Sequence, residues 1–145
     1  MYGLIITVSG LALGLTIAAC SSSSAWKPPA SFAEQVEIGE ELFARHCAQC
    51  HGDAGEGDRG PRLVGLDKGA LPVDPPATRR VRKSRFVTVA DLVEFVLESM
   101  PAKKPNSVTH DEKLAILAFA LEANGIDLGQ EPLSLARART LTIPR

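Results

Sequence analysis

Apolar residues recur at helical spacing in three stretches of the chain. Each stretch opens on a hydroxyl residue followed three positions later by an acid. Ser31 with Glu34 precedes Phe32, Val36, Leu42 and Phe43, which lead towards Cys47. Thr88 with Asp91 precedes Leu92, Val93, Phe95, Val96 and Leu97, and Thr109 with Glu112 precedes Leu114, Ile116, Leu117, Phe119, Ala120 and Leu121. A hydroxyl that caps the N3 amide, answered by an N3 carboxylate, is the signature of a helix start. Three helices are therefore expected. The second is rich in β-branched residues and a strand competes there, but the cap and the lack of strict alternation favour helix. Pro101 ends it, because the residue before proline is pushed into extended backbone. Asn124-Gly125 ends the third.

Ahead of these helices, Leu4 to Ala19 form an uncharged apolar run. It is short for a membrane span, which needs roughly 20 apolar residues. The run closes on Ile17-Ala18-Ala19-Cys20 and passes into Ser21 to Ser24. Small residues before a cysteine, after an apolar core, resemble the bacterial lipobox. That resemblance implies a signal peptide over 1–19, cleavage before Cys20 and acylation of its thiol. No Lys or Arg precedes the apolar core, so either the α-amino group is the only positive charge there or the true start lies upstream. The alternative is an uncleaved signal anchor with Cys20 as a small apolar residue. Residues 20–30, with their serines, Trp26, Pro28 and Pro29, read as a tether.

The chain has 145 residues, a formal charge of −1, 23% charged residues and 45% hydrophobic residues. That balance excludes a strongly basic nucleic-acid binder, an acidic tail protein and wholesale disorder. Three cysteines do not make a disulfide framework. Between the first and second helices, Gly52 to Val87 is Gly/Pro-rich and without clear periodicity. A structureless stretch of that length in a compact domain makes sense where it wraps something other than polypeptide.

Cys47-Ala48-Gln49-Cys50-His51 supplies that something. C-x-x-C-H is the signature of covalent haem attachment. The two thiols add across the two haem vinyl groups, the two intervening residues span one porphyrin edge, and the adjacent imidazole is set under the iron. Met100 is the only methionine besides Met1. A thioether sulfur is a soft iron ligand, and a His/Met pair raises the reduction potential. Other readings stand beside this one. A thioredoxin-like dithiol needs a strand leading into the motif, and here a helix does. Zinc on Cys47, Cys50 and His51 lacks a second cysteine pair. His46 or His110 would replace Met100 in a bis-His site, and a vacant sixth position is the remaining option.

Gly39-x-x-x-Phe43, the haem motif followed by Gly52, Gly60-Pro61-x-Leu63, Met100-Pro101 and Ala118-Phe119 together resemble the class I mono-haem c-type cytochromes. The resemblance runs from about Phe32 to Gly125. It implies an all-α cytochrome c fold, with three main helices and long loops around one covalently bound haem c and its iron. It also implies that Cys47 and Cys50 hold the haem, that His51 is the proximal ligand and that Met100 is the distal ligand. The Pro61 carbonyl would accept the His51 Nδ1–H, and Gly39 would let the first helix cross the last against Ile116 and Phe119. Phe119 stands where the family often has Tyr. Leu63, Phe95 and Leu97 are expected to make an apolar pocket. The domain would span 31–126, with 127–145 an extension packed on it or trailing from it.

That extension carries Gly129, Glu131-Pro132-Leu133, Leu135 and Leu141 to Ile143. After Ala123-Asn124-Gly125 it resembles the ending of cytochrome c domains found beside pyrroloquinoline-quinone (PQQ) dehydrogenases. The implied role is periplasmic electron transfer on a lipid anchor, from such a dehydrogenase to a terminal oxidase or another cytochrome. No catalytic dyad is present, so no enzyme activity is expected of the chain alone. A haem-based sensor with an open sixth site and a fixed cytochrome subunit of a dehydrogenase are the rival functions. The basic run Arg79, Arg80, Arg82, Lys83 and Arg85 has three readings: a solvated loop, contact to the haem propionates, or docking to an acidic partner. Glu34, Glu37, Glu40 and Glu41 read as an exposed helix face, and Glu56 and Asp58 as a solvated loop.

Overall fold

The computed structural model describes residues 26–72, 74–75, 82 and 85–144. The lipobox, Cys20, Arg79, Arg80 and Lys83 lie outside the described residues. Three main helices carry the fold: α1 (Phe32–His46), α3 (Val89–Ser99) and α4 (His110–Glu122), with one-turn helices α2 (Ala48–His51) and α5 (Leu135–Ala138). Among the described residues the only β pairing is an isolated bridge between Thr88 and Thr142. The fold is all-α, as the three capping patterns predict.

Each main helix starts at its expected cap. Thr88 and Thr109 form reciprocal boxes with Asp91 and Glu112. At α1 the box is half formed: Ser31 Oγ accepts from the Glu34 amide at 3.1 Å, but the Glu34 carboxylate accepts from the Ala30 amide instead. The backbone amides hold the Asp91 and Glu112 carboxyls below the usual carboxylate range.

Helix α4 is the hub. Lys113, Ala115, Ile116, Leu117, Ala118, Ala120 and Leu121 are all buried, so it presents apolar surface nearly all round, as a central helix must. Its partner α1 buries Phe32, Leu42 and Phe43. The two cross at Gly39, where a Cβ would land on the Ala115 carbonyl, with the Phe119 Cβ next nearest at 3.1 Å. Ala115 is thus the residue nearest Gly39, with the expected Phe119 beside it. Ala115 and Phe119 are four residues apart and share one ridge of α4, and Ala115, Ile116 and Phe119 all pack in the cluster of Leu42 and Phe43. Phe119 packs on Phe43 at a centroid distance of 5.3 Å, so the missing tyrosine hydroxyl leaves the ring contact in place.

The C-terminal segment is packed on the domain. Leu128, Leu133, Ala138 and Ile143 are buried in the main core. The buried Gln35 amide grips the Leu133 backbone twice, donating to its carbonyl at 3.1 Å and accepting from its amide at 2.6 Å. Two backbone bonds, Phe32 N–H to Gln130 O and Val89 N–H to Leu141 O, both 2.9 Å, close the seam at either end. This segment covers what would otherwise be the outer faces of α1 and α3.

Candidate haem-binding site

The haem motif grows out of the end of α1. The Cys47 amide donates to Phe43 O at 2.8 Å, and the Cys47 carbonyl accepts from the Cys50 and His51 amides at 3.0 Å each. That turn, α2, puts Cys47 half-buried against the second core cluster and Cys50 at the surface. Burial, and then the neighbouring Cys50, push the Cys47 thiol up to about 11. A redox dithiol needs the opposite, a thiol activated below its ordinary value, so the thioredoxin-like reading is disfavoured.

The loop after the motif is closely hydrogen-bonded rather than slack. Gly57 N–H donates to His51 O at 2.6 Å and Gly60 N–H to Cys50 O at 2.7 Å. The Gly55 carbonyl takes both the Leu63 and Val64 amides, at 2.8 and 3.0 Å. Glu56 accepts from the Ala54 amide at 2.9 Å, and backbone amides hold its carboxyl below the usual range. It is exposed, but it organises the turn rather than simply facing water.

This loop delivers the Pro61 carbonyl to 2.8 Å from His51 Nδ1. A carbonyl only accepts, so Nδ1 carries the proton and donates, and the Nε2 lone pair is left for a metal. Gly60 makes the approach: a Cβ there would sit 2.7 Å from His51 Cε1 and 2.8 Å from Nδ1. A side chain at 60 would displace the ring or the carbonyl that orients it.

Leu63, Leu66, Phe95, Leu97 and Leu114 are half-buried and packed against the main core. Leu63 also touches the second cluster, so it joins the two. Half-exposed apolar side chains of this kind suit the face of a flat apolar group. Met100 caps α3 with extended backbone (φ −115°, ψ 145°), its amide donating to Val96 O at 3.1 Å. Paired cysteines, an oriented imidazole with one nitrogen free, an apolar wall and a methionine make a donor set that fits haem c. His46 and His110 are both exposed, at the last residue of α1 and the first of α4.

Two residues of this region were not singled out in the sequence. Asn124, read there only as a helix stop, donates to Leu63 O and Ala120 O at 2.7 Å each and accepts from Gly65 N–H at 2.9 Å. It ties the loop carrying Pro61 and Leu63 to the end of α4. Lys113 is 2% exposed, and its ammonium donates to Leu97 O at 2.6 Å. Desolvation pushes its pKa down. The signal for Lys113 is its place on the apolar ridge three and four residues before Ile116 and Leu117. For Asn124 the contacts that matter to the site, Leu63 and Gly65, lie far away in the chain and leave no local signal.

The basic run divides. Arg82 is 7% exposed, donates to the Pro72 and Asp74 carbonyls at 2.6 Å each and lies 3.6 Å over the Phe86 ring. It staples the loop, which removes the solvated reading for that residue. Arg85 pairs with Asp74 at 3.0 Å on the surface, an exposed contact of small net worth.

Residues 34–119 match the family described as cytochrome c oxidase, cbb3-type, subunit III. No curated protein matches the chain. Among solved structures, the sulfane dehydrogenase SoxCD from Paracoccus pantotrophus is similar, with 28% identity and a TM-score of 0.54 over 91% of this chain and 68% of that one.

Proposed function

Because the chain belongs to the c-type cytochrome family of the cbb3-type oxidase subunit III, and so carries covalently bound haem c, we propose that it is a closed His51/Met100 electron carrier. Cys47 and Cys50 hold the haem by thioethers. His51 Nε2 and Met100 Sδ would ligate its iron. The observation that carries this reading is the 2.8 Å contact of His51 Nδ1 with the Pro61 carbonyl, which fixes tautomer and ring plane in the way outer-shell partners of metal-bound histidines do.

Haem iron supplies one-electron chemistry between its ferric and ferrous states. The protein's part is to keep the coordination shell unchanged, so that little reorganises on transfer. Pro61 prevents rotation of His51. Gly60 allows the close approach that this needs. Leu63, Phe95 and Leu97 exclude water and disfavour the additional charge of the oxidised state, which raises the potential. Cys50, at the surface, would bring the thioether edge within reach of a partner.

The carrier works in the periplasm on a lipid anchor at Cys20. Support for this is the lipobox-like sequence and the need of covalent haem attachment for an extracytoplasmic route. No helix among the described residues is long and apolar enough to cross a membrane, which is compatible with such a tether. The donor is a dehydrogenase. The sequence of the C-terminal segment favours a quinoprotein partner, with a terminal oxidase or a second cytochrome as acceptor. The similarity to SoxCD, a dehydrogenase, favours a second arrangement in which the chain is a fixed cytochrome subunit. Copurification with a dehydrogenase through high salt separates that arrangement from a free shuttle.

Met100→Ala tests the ligand set. The far-red Met–iron band of the ferric protein is expected to vanish and the ferrous protein to bind carbon monoxide. The potential should fall by a substantial part of the ~0.8 V that axial ligation spans. An unchanged spectrum and potential would remove Met100 from the coordination shell and move weight to the open-site sensor.

A further inference from the structure

Pro101 leaves a gap in the hydrogen bonding of α3 beside the proposed distal ligand. In a helix each carbonyl accepts from the amide four residues on. The Val96 carbonyl does so, from Met100 N–H at 3.1 Å. The next carbonyl, Leu97, would need the amide of residue 101, and proline has none. A helix-end carbonyl in half-buried surroundings has to find another donor. The donor here is the Lys113 ammonium, 2.6 Å from Leu97 O, reaching across from α4.

This is an unusual use of a lysine. Lys113 is 2% exposed, although most lysines keep the charge in water. The contact is charge-assisted, and it places a cation at the C-terminal end of a helix, where the backbone dipole favours it. The adjoining bonds complete the arrangement. Met100 N–H is held by Val96, and Leu97 O, one carbonyl further along, is held by α4. Met100 therefore leaves a last turn that is fixed on both neighbouring carbonyls.

We propose that Lys113 is a positioning residue for the distal haem ligand: its ammonium replaces the amide that Pro101 lacks, docks the last turn of α3 onto α4 and thereby holds Met100 in reach of the iron. The proposal rests on the reading of Met100 as that ligand. It assigns Lys113 no contact with haem. It accounts for a lysine on the apolar ridge of α4 where an aliphatic side chain would pack without a desolvation penalty.

The test uses the holoprotein with the substitutions Lys113→Met, which keeps an unbranched apolar stem and loses the donor, and Lys113→Gln, which keeps an N–H donor without the charge. Lys113→Leu serves as a second donor-free variant if Lys113→Met does not assemble. The readouts are the far-red Met–iron band, carbon monoxide affinity of the ferrous form, and Tm. The donor-free variants are expected to weaken the band and to raise carbon monoxide affinity about tenfold or more, the scale of one lost charge-assisted hydrogen bond. Lys113→Gln should restore both towards the parent values.

A donor-free variant with lower Tm but the parent band and affinity would reduce Lys113 to a packing role and overturn the proposal. So would failure of Lys113→Gln to improve on Lys113→Met. If the parent protein itself shows no far-red band, the reading of Met100 fails and this proposal with it. If the parent shows the band, Met100→Ala abolishes it and Lys113→Met does not touch it, the proposal fails alone.

Discussion

Replacing Cys47 and Cys50 together by serine is expected to abolish haem retention in the denatured protein. In the parent chain the haem is expected to stay with the polypeptide after boiling in detergent, because thioether bonds survive unfolding. In the double variant only the apolar wall and the axial ligands remain, and they disappear when the chain unfolds. The substitution is conservative for the backbone. The turn depends on the Cys47 amide and carbonyl, which bond Phe43, Cys50 and His51, and serine preserves those bonds. Loss of haem would therefore report lost covalent chemistry rather than a lost motif. Each single variant should keep one thioether and retain haem with a shifted absorption maximum. Peroxidase staining of haem after denaturing electrophoresis reads the result. Full haem signal from the denatured double variant would contradict covalent attachment at these residues.

The second large effect is expected at Gly39. A methyl group there meets the Ala115 carbonyl well inside contact distance, and that carbonyl belongs to α4, a buried helix with no freedom to step aside. Alanine is the better helix former by about 1 kcal/mol, which taken alone would stabilise α1. Overpacking typically costs about 1–3 kcal/mol and more where neither side can yield, so against two backbones the collision wins. Gly39→Ala should lower Tm by about 10 °C. The consequences extend beyond stability. The crossing of α1 on α4 carries the haem motif at the end of α1, Lys113 on α4 and Asn124 just past its end, so separating the helices should also loosen the site. Thermal unfolding followed by far-ultraviolet circular dichroism measures the shift. A Tm equal to the parent's would mean that the helices do not cross closely at this residue.

Local rules account for the features that were legible in the sequence. Ser31, Thr88 and Thr109 each cap a neighbouring amide, a contact within three residues, and so their pattern points directly to helix starts. The reciprocal box fails only at Ser31, where Glu34 finds the Ala30 amide within reach. The residue of α4 nearest Gly39, Ala115, was not named from the sequence. Periodicity along α4 is uninformative here, because the helix is buried on nearly every side. Three features depended on partners distant in sequence and left little local trace. Gln35 grips Leu133, Asn124 holds Leu63 and Gly65, and Lys113 reaches Leu97. Arg82 was missed for a different reason, since its partners are within ten residues. Composition places it in a charged loop, whereas the Pro72 and Asp74 carbonyls and the Phe86 ring draw it inward.

The loop after the haem motif was legible in chemistry but not in form. Its glycines and Pro61 marked a segment that passes around a prosthetic group. The bonds from Gly57 to His51 and from Gly60 to Cys50 show that it is built on the motif's own carbonyls. That arrangement explains how a stretch with one 3₁₀ turn, Leu66–Lys68, delivers a proline carbonyl to an imidazole at 2.8 Å.

The most direct test of the His51/Met100 carrier is an absorption spectrum of the matured protein, oxidised and then reduced, with carbon monoxide added to the reduced form. Sharp reduced c-type bands, a weak far-red band in the oxidised form and no carbon monoxide shift are the results expected of a closed site. A missing far-red band together with a carbon monoxide shift would contradict it and identify an open haem.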